Sequence, residues 1–175
     1  MQNGIELQFL EVIKRLIVAG SLDYLFVGGR KIYQPLRAAS FPNVVHLTFP
    51  LSLSKYSAYT DVAHRSWNVC LFNTKSIYKN VINQLTGLFL AKRLDDRLKI
   101  HLNNLQPIHK FYLERVLSFT NYQSYDWFAS KDDYYRLLAS MACALQINYA
   151  DVCCYAAMSA MAMGVPTLLS NVVDW

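Results

Sequence analysis

The residues with the clearest chemical possibilities lie at two strand ends. Lys75, Lys79 and Asn80 stand where an apolar run, Asn68 to Asn73, gives way to a helical one, with Ser76 suited to cap that helix. A lysine at a helix N-terminus opposes the positive end of the dipole, a repulsion relieved when an anion sits between them. Two solvated lysines on a surface loop have the same spacing, so these residues alone leave both roles open.

Asp151 is the only formal charge between Arg136 and Asp174. It follows an apolar strand, Cys143 to Ile147, and a polar loop from Asn148. There it would either cap the small-residue helix expected from Val152 to Met163 or accept hydrogen bonds from a ligand's hydroxyls. Tyr149 shares that loop, where an aromatic ring packs or stacks on a base or sugar. Other chemistries are poorly supplied. His46, His64, His101 and His109 lack metal-ligand spacing, and no Ser-His-Asp set, Walker loop or Gly-x-Gly-x-x-Gly occurs. Cys70, Cys143, Cys153 and Cys154 include no zinc or Cys-x-x-Cys pair and read as reduced thiols, the last two as small residues packed on a helix.

Both regions need a scaffold. Ile5 to Ala19 places Ile5, Phe9, Ile13, Leu16 and Ile17 on one helical stripe; Leu22 to Val27 reads as a strand, Lys31 to Ala39 as a helix and Val44 to Phe49 as a strand. The polar, turn-rich stretch from Pro50 to Ala63 suggests a linker, so we expect 1–50 as a small βαβ remnant, 51–66 as linker and 67–175 as the main domain. From Asn68 the pattern alternates: strand 68–73, helix 77–93, strand 98–102, helix 107–119, strand 124–128, helix 132–141 and then the region around Asp151. This predicts an α/β, Rossmann-like parallel sheet with helices on both faces, its ligand beyond the strands' carboxyl ends. Trp175 follows a strand where a closing helix is expected, so the sequence reads as cut at both ends.

Composition narrows the partners. Hydrophobic residues make up 54% and charged ones 17%, which excludes a disordered chain and suits a sheet buried on both faces. Lys and Arg exceed Asp and Glu by 17 to 12, favouring an anionic partner; their scatter fits a phosphorylated small molecule better than nucleic acid. The uncharged run Val152 to Val173 is interrupted by Ser159, Gly164-Val165-Pro166, Thr167 and Asn171, so we read a buried helix–turn–strand and no transmembrane segment. The N-terminus lacks the order of a secretory signal, and a cytoplasmic protein is expected.

From about Trp67 to Trp175 the order of features resembles the nucleotide-sugar-binding C-terminal domain of GT-B fold, retaining-type glycosyltransferases. Asn73-Thr74-Lys75-Ser76-Ile77-Tyr78-Lys79-Asn80 is similar to the family's basic turn and Lys-Asn helix start. The family's two acids eight residues apart, followed by Ala-Met-x-x-Gly-x-Pro, correspond to Asp151, Ser159 and Ala160-Met161-Ala162-Met163-Gly164-Val165-Pro166. The resemblance implies that Lys75 and Lys79 hold a donor diphosphate with Asn80 and Tyr149 nearby, that Asp151 faces the transferred sugar, and that the Ser159 position meets the ribose. It implies no metal and no cofactor beyond the nucleotide sugar as substrate. Asp151 is one methylene shorter than the usual Glu. Ser159 offers one neutral hydrogen bond where a carboxylate accepts two charge-assisted ones. Two functions are therefore expected in competition: a glycosyltransferase fragment that leaves its acceptor to a missing N-terminal domain or second chain and is inactive alone, or a non-catalytic module with a degenerate donor site.

Overall fold

The computed structural model describes residues 3–48, 50–60, 65, 67–72, 77–149 and 154–171. The chain divides into two compact units at Pro50/Leu51.

The first unit is a helix followed by βαβ: α1 (Asn3–Val18), β1 (Leu25–Val27), α2 (Arg30–Ala38) and β2 (Val44–His46). The two strands pair in parallel, Leu25 opposite Val44 and Val27 opposite His46. Its core is small, with Ile17, Leu36, Phe41 and Val44 buried and Leu10, Ile13, Leu25 and Val27 packed around them. Of the stripe expected on α1, Ile13 and Ile17 enter this core while Phe9 and Leu16 stay exposed, and Gly20, at φ 71°, releases the chain after the helix.

The second unit carries β3 (Asn68–Leu71), α3 (Val81–Leu94), β4 (Lys99–Asn103), α4 (Pro107–Phe111), β5 (Gln123–Tyr125), α5 (Lys131–Ala139), β6 (Cys143–Gln146), α6 (Tyr155–Ala162) and β7 (Thr167–Leu169). The five strands form a parallel sheet in the order β5-β4-β3-β6-β7. Alternation along β3 feeds two cores. Val69 and Leu71 face Val81, Leu85 and Leu88 of α3 with Leu113, while Cys70 and Phe72 face α5 and α6 through Tyr135, Leu138 and Ala160. The expected doubly covered parallel sheet is what the chain builds.

The differences from the expected elements have local causes. The helix expected over 77–93 is divided: a 3-10 turn, Ile77–Lys79, precedes α3, and Asn80 between them is left-handed at φ 51°. Asparagine tolerates that region, and here its Oδ1 accepts from Asn83 Nδ2 at 2.7 Å. The helix expected over 107–119 leaves the α form after Phe111 and continues as a π turn, Tyr112–Val116, closed by Leu117 N–H donating to the Tyr112 carbonyl. Helix α6 begins at Tyr155 with Cys154 in the N-cap place and no side-chain cap, so the capping position considered for Asp151 belongs to another residue.

Within the segment expected as a linker, Leu53–Tyr59 form a 3-10 helix docked on the second unit. Tyr56 is 3% exposed and Tyr59 donates to Asp132 Oδ1. Arg65, the one described residue of 61–66, donates to the carbonyls of Ala139, Met163 and Gly164. A guanidinium there meets the negative ends of α5 and α6 together.

Candidate functional site at the sheet's carboxyl edge

The strand order fixes where a ligand belongs. Connections from β3 run toward β4 and β5, whereas β6 starts the opposite half, so β3 and β6 are neighbours whose following loops diverge. A crevice opens at such a switch point beyond the strands' carboxyl ends. The loops after β3 and β6 are those holding the sequence's candidate residues.

Two buried glutamines tie these loops together. Gln84, on the inner side of α3, donates through Nε2 to the Lys79 carbonyl at 2.5 Å and accepts through Oε1 from Ile147 N–H at 2.9 Å. Gln146, at the end of β6, donates to the Phe72 carbonyl at 2.8 Å and accepts from Cys154 Sγ at 3.2 Å. Tyr149 N–H donates to the Tyr78 carbonyl, and Asn83 Nδ2 bridges Asn80 Oδ1 and the Tyr149 hydroxyl at 2.7 and 2.8 Å. Lys79, Asn80 and Tyr149 are thereby gathered at one place. Lys79 is only 9% exposed, unusual for a lysine.

Ser159 is not part of this gathering. It lies inside α6 at 4% exposure, and its hydroxyl sits 3.0 Å from that of Tyr56. Lys75 and Asp151, the remaining candidates, fall outside the described residues.

Beside the junction lies a cleft of about 560 Å³ that the sequence reading did not single out. Its walls come from Phe72 after β3, Asn103 and Asn104 at the end of β4, the Trp127–Lys131 loop after β5, and Ala156 in the first turn of α6. The aromatic side is built in layers: Phe128 meets Phe72 edge-on at 5.9 Å, Tyr134 at 5.3 Å, and stacks against Tyr125 at 5.4 Å. Trp127 remains 76% exposed at the same loop. Asn104 holds the left-handed region at φ 52° and donates its N–H to the Tyr125 carbonyl, turning the chain sharply at the cleft edge. Ser130 caps α5 by accepting from Asp133 N–H at 3.1 Å, which sets the far end of the loop. The usable sequence signals were Asn103-Asn104 after one strand and Tyr125-Asp126-Trp127-Phe128 after the next.

An aromatic wall, two carboxamides and one ammonium, that of Lys131, suit a flat polar ring better than an open-chain anion: rings stack, amides pair with ring-edge donors and acceptors, and the cation meets a nearby phosphate. Among the described residues no group of three or more His, Cys, Asp or Glu is placed to hold a metal ion. No described helix is long and apolar enough to cross a membrane.

Behind the cleft, His101 Nδ1 lies 2.9 Å from the Tyr125 hydroxyl, and the two rings are parallel. Its Nε2 is buried with no hydrogen-bond partner among the described residues. Burial, and secondarily the charge of Lys99, lower the His101 pKa. With the folded value below the ordinary one of about 6.5, the unfolded chain binds more protons as pH falls through that region. Stability is therefore fully present above about pH 6.5 and declines below it. Thermal unfolding from pH 7.5 to 5 should show this loss, and it should be smaller in His101→Gln; an equal slope in both proteins would place the acid sensitivity elsewhere, with His109 next, since burial lowers its pKa also.

No protein-family model matches the sequence, and no curated protein does. Solved structures match its fold. TarM aligns over 93% of this chain and 32% of its own at a TM-score of 0.75 and 10% identity. Sucrose-phosphate synthase from Thermosynechococcus elongatus aligns over 94% and 44%, at 0.68 and 13%. The pneumococcal O-GlcNAc transferase GtfA, solved with UDP and GlcNAc, aligns over 90% and 32%, at 0.65 and 10%. The fold is thus that of GT-B glycosyltransferases, and the chain spans from about a third to under half the length of these structures.

Proposed function

We propose that the second unit binds a nucleotide-sugar donor and contributes the donor half of a glycosyl-transfer site. The observation that carries this reading is the junction of the β3 and β6 loops, where Lys79, Asn80 and Tyr149 meet beside an aromatic cleft. In this reading the base enters the cleft against Trp127 and Phe128, with Asn103 and Asn104 at its edge. The diphosphate lies toward Lys79 and Lys75, and Asp151 faces the sugar. Departure of the diphosphate adds negative charge to it, and fixed N–H groups with the two ammonium groups stabilise that charge without a metal. The acceptor is held by polypeptide beyond this chain, either a first domain or a second protein, and the protein works in the cytoplasm.

Calorimetric titration with UDP, GDP and ADP sugars tests the reading. One of them is expected to bind, and Lys79→Ala is expected to weaken it about tenfold or more, the scale of one charge-assisted phosphate contact. No binding across the set, or binding indifferent to Lys79, overturns it. The burial of Ser159 against Tyr56 favours a second reading, a non-catalytic module that keeps the fold with an altered donor site. That module would bind none of these sugars.

A further inference from the structure

The chain's positive charge is unevenly placed. Residues 77–119 hold seven Lys and Arg against three Asp and Glu, a net +4 of the chain's +5. Much of this stretch is α3 and the helical segment from Pro107 to Val116, which cover one side of the sheet with Val81, Leu85, Leu88 and Leu113 turned inward.

Their outer sides join at one contact, Thr86 Oγ1 to the Tyr112 hydroxyl at 2.7 Å. Side chains four residues apart on a helix lie one above the other. Ile82 and Leu90 therefore flank Thr86 on α3, and Ile108 and Val116 flank Tyr112 on its neighbour, with Phe111 beside them. These five apolar side chains are 37–61% exposed. They form one seam across two helices, unlike the isolated surface apolar residues usual in soluble proteins. Arg93, three residues after Leu90 on α3, and Arg115, four after Phe111 on the other helix, lie along it. Lys110 pairs with Glu114, the one acid of the two helices, and Arg115 is exposed.

From this arrangement we infer that the outer face of α3 and α4 docks on an anionic lipid surface. Apolar side chains enter the headgroup boundary while the flanking cations meet lipid phosphates, a pairing of apolar and basic groups that anionic bilayers match. Nucleic acid would match the cations and leave the seam in water. The inference is independent of any sugar-nucleotide binding and concerns the opposite side of the sheet from α5 and α6.

Co-sedimentation of the full chain with phosphatidylcholine vesicles, with and without about 30% phosphatidylglycerol, tests it. Binding is expected on the anionic vesicles, weak on the neutral ones, and lost toward about 0.5 M salt. Ile108→Asp/Phe111→Asp and, separately, Arg93→Glu/Arg115→Glu should each lower partitioning about tenfold or more. All four positions are on the outer side, and circular dichroism should stay unchanged; if either variant misfolds, Leu90→Ser repeats the test on α3. Absence of binding, or variants that bind like the parent, overturns the proposal. So does a parent dimer that Ile108→Asp/Phe111→Asp converts to monomer, since the face would then serve self-association.

Discussion

Replacing Ser159 by glutamate is expected to destabilise the second unit by at least about 3 kcal/mol, because the new carboxylate enters a filled core and gives up its hydration there. The physical basis is the 3.0 Å contact between the Ser159 and Tyr56 hydroxyls, both residues being 4% exposed or less. Ala157 and Ala160 on the same helix, with Met163 after it, are fully buried, so the longer side chain has little room. Ser159→Ala is far milder, about 1 kcal/mol, for it removes one neutral hydrogen bond and leaves the Tyr56 hydroxyl to its other surroundings. Urea unfolding of the three proteins separates the possibilities. A Ser159→Glu protein as stable as its parent would mean that position 159 opens onto solvent or ligand, and the Tyr56 contact would lose its importance.

The second large effect is expected at Gln84. Gln84→Leu keeps the volume nearly constant but removes partners from the Lys79 carbonyl and Ile147 N–H, each inside the junction. Two unpaired backbone groups cost about 1–3 kcal/mol apiece when buried. A loss of about 3 kcal/mol is therefore expected, concentrated locally: hydrogen exchange should accelerate at the Ile147 and Tyr149 amides more than in the strands. Nucleotide-sugar affinity should fall with it, since Lys79 and Tyr149 would no longer share a fixed geometry. Unchanged protection at Ile147 would refute the coupling of the two loops.

The course of the chain was largely legible in advance because each element carries its own period. Alternation at Val69 to Phe72 and the apolar spacing of Val81, Leu85 and Leu88 are local patterns, and they produced a strand and a helix where expected. What escaped were features set by one particular partner and not by a repeating pattern. The left-handed Asn80 depends on an amide three residues on, the π turn after Phe111 on closure at Leu117, and the burial of Ser159 on Tyr56, 103 positions away. The candidate lysines and Tyr149 could be named from spacing, since they border strand and helix signals. The aromatic cleft could not, because Phe72, Asn103 and Trp127 become neighbours only once the strand order is known. Lys75 and Asp151 rest on sequence reasoning alone.

The strand order also bears on how the protein is made. Strand β3 is central in the sheet yet first of the five in the chain; it pairs with β4 after one helix, whereas its other edge waits for β6, Val69 finally meeting Cys143. At roughly 5–20 residues per second, a ribosome leaves that edge unpaired for several seconds. During this interval the nascent chain displays open backbone donors and acceptors next to Cys70 and Phe72, a surface on which another nascent strand can anneal. Yield should accordingly depend on synthesis rate and on chaperones that shield a half-built sheet, more than the stability of the finished molecule would suggest.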